Sequence, residues 1–90
     1  MSKEHQHIEN IEELNTSQKY QLSIHLGGRT PLGFYRYYFN DLEYHRTQTD
    51  CFNHVNELYF DLYGEYRYDS YDTFRKCYNR ALTKNPYFEK

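Results

Sequence analysis

The hydrophobic pattern of the chain is most regular over residues 49–63. Apolar side chains recur three or four positions apart there, so they fall on one face of an α-helix. The members of this stripe are Cys51, Phe52, Val55, Leu58, Tyr59, Leu62 and Tyr63. Thr47 or Thr49 suits the N-cap of this helix, and Gly64 suits a left-handed C-cap. The pattern predicts a helix over 49–63, with Phe60 outside the stripe.

A second apolar stripe with helical spacing predicts a helix over residues 70–84. Its members are Tyr71, Phe74, Cys77, Tyr78, Ala81 and Leu82. Asp69 or Ser70 suits the N-cap. Pro86 ends the helix, because the residue before a proline avoids the helical region. The short turn 65–68 separates this helix from the one before it.

A third stripe predicts a helix over residues 31–46, and its members are Leu32, Tyr35, Tyr38, Phe39 and Leu42. Pro31 suits the first helical position, where its missing N–H group has no intrahelical partner to lose. Gly33 lowers the stability of this helix by about 1 kcal/mol relative to alanine. Tyr37 falls outside the stripe.

Residues 19–26 alternate between apolar and polar side chains, with Tyr20, Leu22, Ile24 and Leu26 on one side. This period is that of a short half-buried β-strand, but a lone strand needs a partner. Strand and helix both remain open, with helix or irregular structure slightly favoured. Earlier in the chain, Ile8, Ile11 and Leu14 are spaced for one face of a short, frayed helix.

These elements predict a mainly α fold, a bundle of three to four helices with a helix-turn-helix-like C-terminal pair. We expect an acidic, partly ordered segment over 1–18, a single helical domain over 19–86, and a tail over 87–90. The core must be aromatic, because the chain has 12 Tyr and 6 Phe but few aliphatic side chains. We expect the tyrosine rings at the core boundary with their hydroxyl groups directed outward.

Several classes of protein are not indicated. No apolar run is long enough to span a membrane, and the N-terminus lacks a signal-peptide core, so we expect a cytoplasmic protein without a membrane partner. No catalytic motif is present, and we expect no enzyme activity and no cofactor. The spacing of His45, Cys51, His54 and Cys77 matches no zinc signature, so no metal site is predicted. His5 and His7 are expected at the surface of a mobile end.

Charge is unevenly distributed along the chain and suggests one function. Residues 49–65 contain four acidic groups and no Lys or Arg, whereas residues 66–90 contain six basic and three acidic groups. The layout of residues 30–84 resembles small three-helix DNA-binding modules of the Myb-like or phage helix-turn-helix kind, although Myb-type domains have core tryptophans and this chain has none. The predicted nucleic-acid-binding residues are Arg67, Arg75, Lys76, Asn79, Arg80 and Lys84. Arg, Lys and Asn are the side chains that bond phosphates and base edges of duplex DNA.

The alternative hypothesis is a protein-interaction module that binds itself or another protein through tyrosines. Tyrosine and arginine are enriched at interface hot spots. The predicted interaction residues are Tyr37, Phe60, Tyr66 and Tyr68. An exposed basic face on the last helix, clear of the acidic helix before it, favours the first hypothesis, whereas salt bridges from Asp50, Glu57, Asp61 and Glu65 to that face count against it.

Overall fold

The computed structural model describes residues 5–28 and 30–84, apart from the side chain of Lys84. Over these residues the chain forms four α-helices and no β-strand. They are α1 (Thr16–Leu26), α2 (Leu32–Asp41), α3 (Gln48–Tyr63) and α4 (Tyr71–Lys84). Short 3-10 turns precede α1 at Ile11–Glu13 and follow α2 at Leu42–Tyr44. The predicted small, mainly helical bundle is confirmed. The predicted end of the last helix at Pro86 and the predicted tail over 87–90 lie outside the described residues.

Helix α1 replaces the strand that was considered for residues 19–26. Asn15 and Gln18 form a reciprocal capping box, in which each side chain accepts a hydrogen bond from the other residue's backbone N–H. Leu22 and Leu26, four positions apart, are buried in the core, whereas Tyr20 is 65% and Ile24 53% exposed. The strand alternative is therefore wrong: only half of the alternating apolar side chains point inward.

Helix α3 forms as the stripe predicts. Thr47 Oγ1 accepts a hydrogen bond from the Asp50 N–H at 3.0 Å, and Gly64 ends the helix with a left-handed φ of 81°. Cys51, Phe52, Val55 and Leu58 are buried, and Phe60 is exposed. The predicted N-cap and C-cap are confirmed, and so is the inner face except at Tyr63, which is 44% exposed.

Helix α2 packs against α1 at its first turn, and Gly33 makes this approach possible. A Cβ atom at Gly33 would collide with the backbone carbonyl of His25 in α1. The residue is therefore required for packing between helices, and its low helix propensity is a secondary effect. The helix ends at Asp41, earlier than predicted, because the chain tightens into the Leu42–Tyr44 turn.

Aromatic rings fill the core around Phe74, a fully buried residue of α4. Its ring centroid lies 4.7 Å from that of Tyr38, 4.9 Å from that of Phe52 and 5.3 Å from that of Tyr68. Several hydroxyl groups in and around the core have partners within the protein: that of Tyr37 bonds backbone groups, and those of Tyr35 and Tyr68 lie 3.4 Å apart. For these residues the expectation of outward-directed hydroxyl groups is wrong.

The N-terminal segment, residues 5–14, packs on the bundle. Ile8 and Leu14 are buried in the common core. Of the helix expected here, only the turn Ile11–Glu13 forms, with the Asn10 side chain accepting from the Glu12 N–H. This segment is positioned by side chains of α2 and α3.

Residues 64–70 connect α3 to α4 and are held by Asn56 of α3. The Asn56 side chain accepts hydrogen bonds from the N–H groups of Arg67 and Tyr68 and donates one to the Tyr68 carbonyl. Ser70 Oγ then accepts from the Thr73 N–H and caps α4. The connection is longer than the turn of about three to four residues typical of DNA-binding helix-turn-helix motifs.

Candidate functional site

The outer face of α4 presents Arg75, Lys76, Asn79 and Arg80 to solvent. Arg75 Nη2 lies 2.8 Å from one carboxylate oxygen of Asp72, and Lys76 Nζ lies 3.5 Å from the other. The hydrogen bond from Arg75 and the charge of Lys76 lower the pKa of Asp72. These ion pairs lie within one helix and are well exposed, so they are weak and screened by salt.

The acidic face of α3 does not neutralise this basic face. In the described part of the chain, the ion pairs of the α4 cations involve Asp72 of the same helix. Glu57 of α3 instead accepts a hydrogen bond from the Tyr66 hydroxyl at 2.8 Å. Among the described residues, no ion pair joins the acidic residues of α3 to the basic residues of α4.

Of the two other predicted nucleic-acid-binding residues, only Arg67 has a side chain within the described structure. Arg67 is half-buried in the 64–70 connection, with its guanidinium carbon 5.7 Å from the centre of the Tyr59 ring. The side chain of Lys84 lies outside the described part of the structure. The structure thus groups four of the six predicted residues on one helix face.

A groove runs beside this face, between α4 and the end of α2. Arg75 and Asn79 line it together with Tyr38, Tyr71 and Tyr78. Cationic, amide and aromatic groups thus share one concave surface, the combination that contacts phosphates and stacks bases.

Two of the four predicted interaction residues are exposed and adjacent. Phe60 is 38% and Tyr66 48% exposed, and their ring centroids are 4.7 Å apart. The hydrogen bond to Glu57 raises the pKa of the Tyr66 hydroxyl. Tyr63, which is 44% exposed, is a further exposed ring near the end of α3.

The other two predicted interaction residues lie in or against the core. Tyr37 lies outside the predicted stripe of α2 but is only 4% exposed, so it offers almost no surface to a partner. Its hydroxyl accepts from the Ile8 N–H at 3.2 Å and donates to the Gln6 carbonyl at 3.1 Å, because the N-terminal segment covers this side of α2. Tyr68 is half-buried, with its ring 5.3 Å from those of Phe34 and Phe74.

A second cluster, not anticipated as a set, surrounds the carboxylate of Asp41. This residue ends α2 and has no exposed surface. Its Oδ1 atom accepts hydrogen bonds from His5 Nε2 and His7 Nδ1, each at 2.9 Å. Its Oδ2 atom accepts one from His45 Nε2 at 2.8 Å. Three imidazoles thus converge on one buried carboxylate.

His54 of α3 completes this histidine–aspartate cluster. The rings of His7 and His45 lie 5.3 Å and 5.1 Å from that of His54. His54 Nε2 donates a hydrogen bond of 2.6 Å to the carbonyl of Ile8. One ligand atom from each of His7, Asp41, His45 and His54 lies within 4.8 Å of the other three.

The charge of this cluster is centred on Asp41. Burial opposes ionisation of this carboxyl, but the hydrogen bonds from His5, His7 and His45 outweigh burial and hold its pKa below the usual value. In the described part of the chain its ion-pair partners are imidazoles and include no Lys or Arg. Asp41 is therefore an ionised, buried acceptor.

This cluster has no signature in the sequence because its members are far apart in the chain. His5 and His7 are partly buried against Asp41, so the expectation that they are surface residues of a mobile end is wrong. Neither cysteine considered with His45 and His54 joins the group. Cys51 is buried with its thiol donating to the Tyr38 carbonyl, and Cys77 lies half-buried on α4. The only local signal was the i, i+4 spacing of Asp41 and His45.

Comparisons with other proteins do not assign a function to either surface. None of the helices within residues 5–28 and 30–84 is both long enough and apolar enough to cross a membrane. No family model matches the chain, and neither the curated proteins nor the solved structures include a detectable match.

Proposed function

We propose that this protein is a small non-enzymatic nucleic-acid-binding protein that contacts its ligand through the outer face of α4. The observation that supports this proposal is the exposure of Arg75, Lys76, Asn79 and Arg80 together, without ion pairs to the acidic helix α3 in the described structure.

The spacing of these residues suits a nucleic-acid surface. Positions 75, 76, 79 and 80 follow i, i+1, i+4 and i+5, which keeps them on one side of a helix. An α-helix fits the major groove of duplex DNA, where Arg pairs with guanine, Asn pairs with adenine, and Lys contacts phosphate. Because the ion pairs with Asp72 are weak, Arg75 and Lys76 can exchange them for ion pairs with phosphate groups.

The acidic helix α3 restricts how a nucleic acid approaches. Asp50, Glu57 and Asp61 are exposed on α3 and repel phosphate. A duplex or single strand is therefore expected on the α4 side, where the groove lined by Arg75, Asn79 and Tyr78 is accessible.

A charge-matched pair of variants tests the proposal. Fluorescence anisotropy with labelled duplex and single-stranded oligonucleotides at low salt measures affinity. We expect the variant R75Q/K76Q/R80Q to lose most of the affinity. The control K19Q/R36Q/R46Q removes the same charge from elsewhere on the chain and should bind nearly as well as the wild type. Equal losses in both variants would show that only net charge matters and would overturn the assignment to α4.

A second candidate function is protein interaction through the exposed aromatic patch, defined as Phe60 and Tyr66, whose ring centroids are 4.7 Å apart. Each of these side chains is exposed over more than a third of its surface, and aromatic residues are enriched at interface hot spots. If a second copy of the chain is the partner, light scattering after size exclusion will give a dimer mass, and F60E will restore the monomer. A monomeric wild type at all concentrations would exclude self-association through this patch.

A further inference from the structure

We infer that His7, Asp41, His45 and His54 form a binding site for a divalent transition-metal ion, with zinc as the best match. The site lies where the N-terminal segment meets the end of α2 and the middle of α3. It is separate from the basic face of α4, and the inference is independent of the proposed nucleic-acid function.

The donor set decides the class of metal. Three imidazole nitrogens and one carboxylate oxygen complete the tetrahedral coordination that zinc adopts in proteins. Magnesium and calcium prefer shells of oxygen ligands, which this cluster does not offer. Cobalt(II) and nickel(II) accept the same imidazole-rich set. We therefore expect selectivity for zinc and its transition-metal neighbours over magnesium and calcium.

The spacing of the donor atoms is close to what an ion requires. Bonds of about 2.0–2.1 Å in tetrahedral geometry place neighbouring ligand atoms about 3.3 Å apart. Asp41 oxygens already lie 2.9 Å and 3.1 Å from His7 Nδ1 and 2.8 Å from His45 Nε2. The largest separation in the group, 4.8 Å, must close by about 1.5 Å. Rotation of imidazole rings, whose χ2 wells are broad, covers this distance.

Hydrogen bonds outside the ligand set orient the ligands. The carbonyl of Ile8 can only accept, so His54 Nε2 carries the proton and Nδ1 is the nitrogen left for a metal. His5 donates to Asp41 Oδ1 and fixes the carboxylate. A carbonyl behind a ligating histidine and an imidazole behind a ligating carboxylate are outer-shell contacts of the kind that support protein metal sites.

The charge of the cluster also favours a cation. The buried Asp41 carboxylate is surrounded by imidazoles and lacks a Lys or Arg partner in the described structure. A divalent ion would take the place of the protons that His7 and His45 donate to the carboxylate, and each of these neutral rings would then carry its proton on the other nitrogen. The buried negative charge would then be neutralised, as buried charges generally require.

Such an ion would also join distant parts of the chain. His7 belongs to the N-terminal segment, Asp41 and His45 flank the turn after α2, and His54 belongs to α3. Because binding to the folded state adds to its stability, zinc should fasten residues 5–14 to the bundle and raise the melting temperature.

Zinc titration of the untagged full chain tests the site, with free zinc buffered by a chelator of known affinity. We expect one zinc ion per chain and a rise in melting temperature of more than about 5 °C at a hundredfold excess over Kd. H7Q and H54Q should each weaken zinc binding by about 100-fold or more, and H5Q by about 10–100-fold through loss of the outer contact. H25Q, which changes an exposed histidine of α1 outside the cluster, should leave the affinity unchanged.

Cobalt(II) supplies a second readout that does not depend on stability. The wild type should give the intense visible absorption of four-coordinate cobalt, and H7Q and H54Q should lose it while retaining their helical circular dichroism. Magnesium should neither compete nor stabilise the fold. The inference is overturned if the wild type binds zinc no more tightly than H7Q and H54Q do, or if H25Q weakens binding as much as those variants.

Discussion

His54 Nε2 donates a hydrogen bond of 2.6 Å to the backbone carbonyl of Ile8, which joins α3 to the N-terminal segment. The backbone N–H group of Ile8 donates to the Tyr37 hydroxyl on α2. Both backbone polar groups of the buried Ile8 are thus satisfied by side chains of two different helices. These contacts make residues 5–14 part of the bundle.

Removing the Tyr37 hydroxyl should therefore destabilise the protein. In Tyr37→Phe the Ile8 N–H and the Gln6 carbonyl lose their shared partner, at a cost of about 1–3 kcal/mol in the free energy of unfolding. Urea denaturation followed by circular dichroism measures this value. Tyr20→Phe changes a ring that is 65% exposed and should shift stability by no more than about 0.5 kcal/mol. Similar effects in the two variants would contradict the role of Tyr37.

Asn56 should be more important for stability than its neighbour Asn53 on the same helix. Asn56→Ala leaves the N–H groups of Arg67 and Tyr68 and the Tyr68 carbonyl without their side-chain partner. We expect a loss of about 2–3 kcal/mol and faster hydrogen exchange at the amides of residues 67 and 68. Asn53→Ala, at an exposed position, should change stability by less than about 0.5 kcal/mol. Unchanged exchange in Asn56→Ala would show that the connection is held by other contacts.

Substitution of Gly33 by alanine should destabilise the protein even though alanine is the better helix former. The added Cβ collides with the His25 carbonyl and must push α1 away from α2, which costs about 1–3 kcal/mol. Gly64→Ala is the matched comparison, since its Cβ meets open space and only the positive φ opposes it. We expect about 1 kcal/mol for Gly64→Ala, with no change in α1–α2 packing. Thermal melts compare the two, and an increase in melting temperature for Gly33→Ala would contradict the close helix approach.

Stability should fall at alkaline pH because burial raises the pKa of three core tyrosines, Tyr35, Tyr37 and Tyr38, of which Tyr35 and Tyr38 can be tested together. Burial raises the pKa of Tyr35 and of Tyr38 above the ordinary value of 10.0, and hydrogen bonds to Tyr68 and Tyr71 add to this effect. Below pH 10 both rings are protonated in the folded and unfolded states, so their contribution is complete. Above pH 10 only the unfolded chain ionises, and each tyrosine removes up to about 1.4 kcal/mol per pH unit.

Urea denaturation at pH 8, 10 and 11 measures this loss of stability. Y35F/Y38F should show a shallower decline above pH 10, whatever its absolute stability. An equal decline in the variant and the wild type would assign the alkaline loss to other groups.

The sequence predicted those parts of the structure that depend on local signals. Helix α3 follows from its apolar stripe and from Thr47 and Gly64 at its ends, and α4 follows in the same way from Ser70 and its stripe. Residues 19–26 were ambiguous because a period of two is also compatible with a helix that leaves Tyr20 and Ile24 exposed. The helix is favoured by the capping box at Asn15 and by packing against α2. The sequence shows the residues of the capping box, but it does not show the packing.

The two candidate sites also differ in how far the sequence predicts them. Arg75, Lys76, Asn79 and Arg80 belong to one helix, so their shared face follows from helical spacing alone. The histidine–aspartate cluster joins residues up to 49 positions apart, from His5 to His54. Its assembly depends on how the N-terminal segment folds back over α2, which buries Tyr37 at the same time. No local pattern encodes that tertiary contact.

The salt dependence of oligonucleotide binding tests the proposed function most directly. The observed association constant of the wild type should fall as salt rises between about 50 and 200 mM, with a log–log slope near −3 on duplex DNA if Arg75, Lys76 and Arg80 each neutralise one phosphate. The absence of binding at the lowest salt, or binding whose slope is the same in wild type and R75Q/K76Q/R80Q, would contradict the proposal that the outer face of α4 contacts nucleic acid.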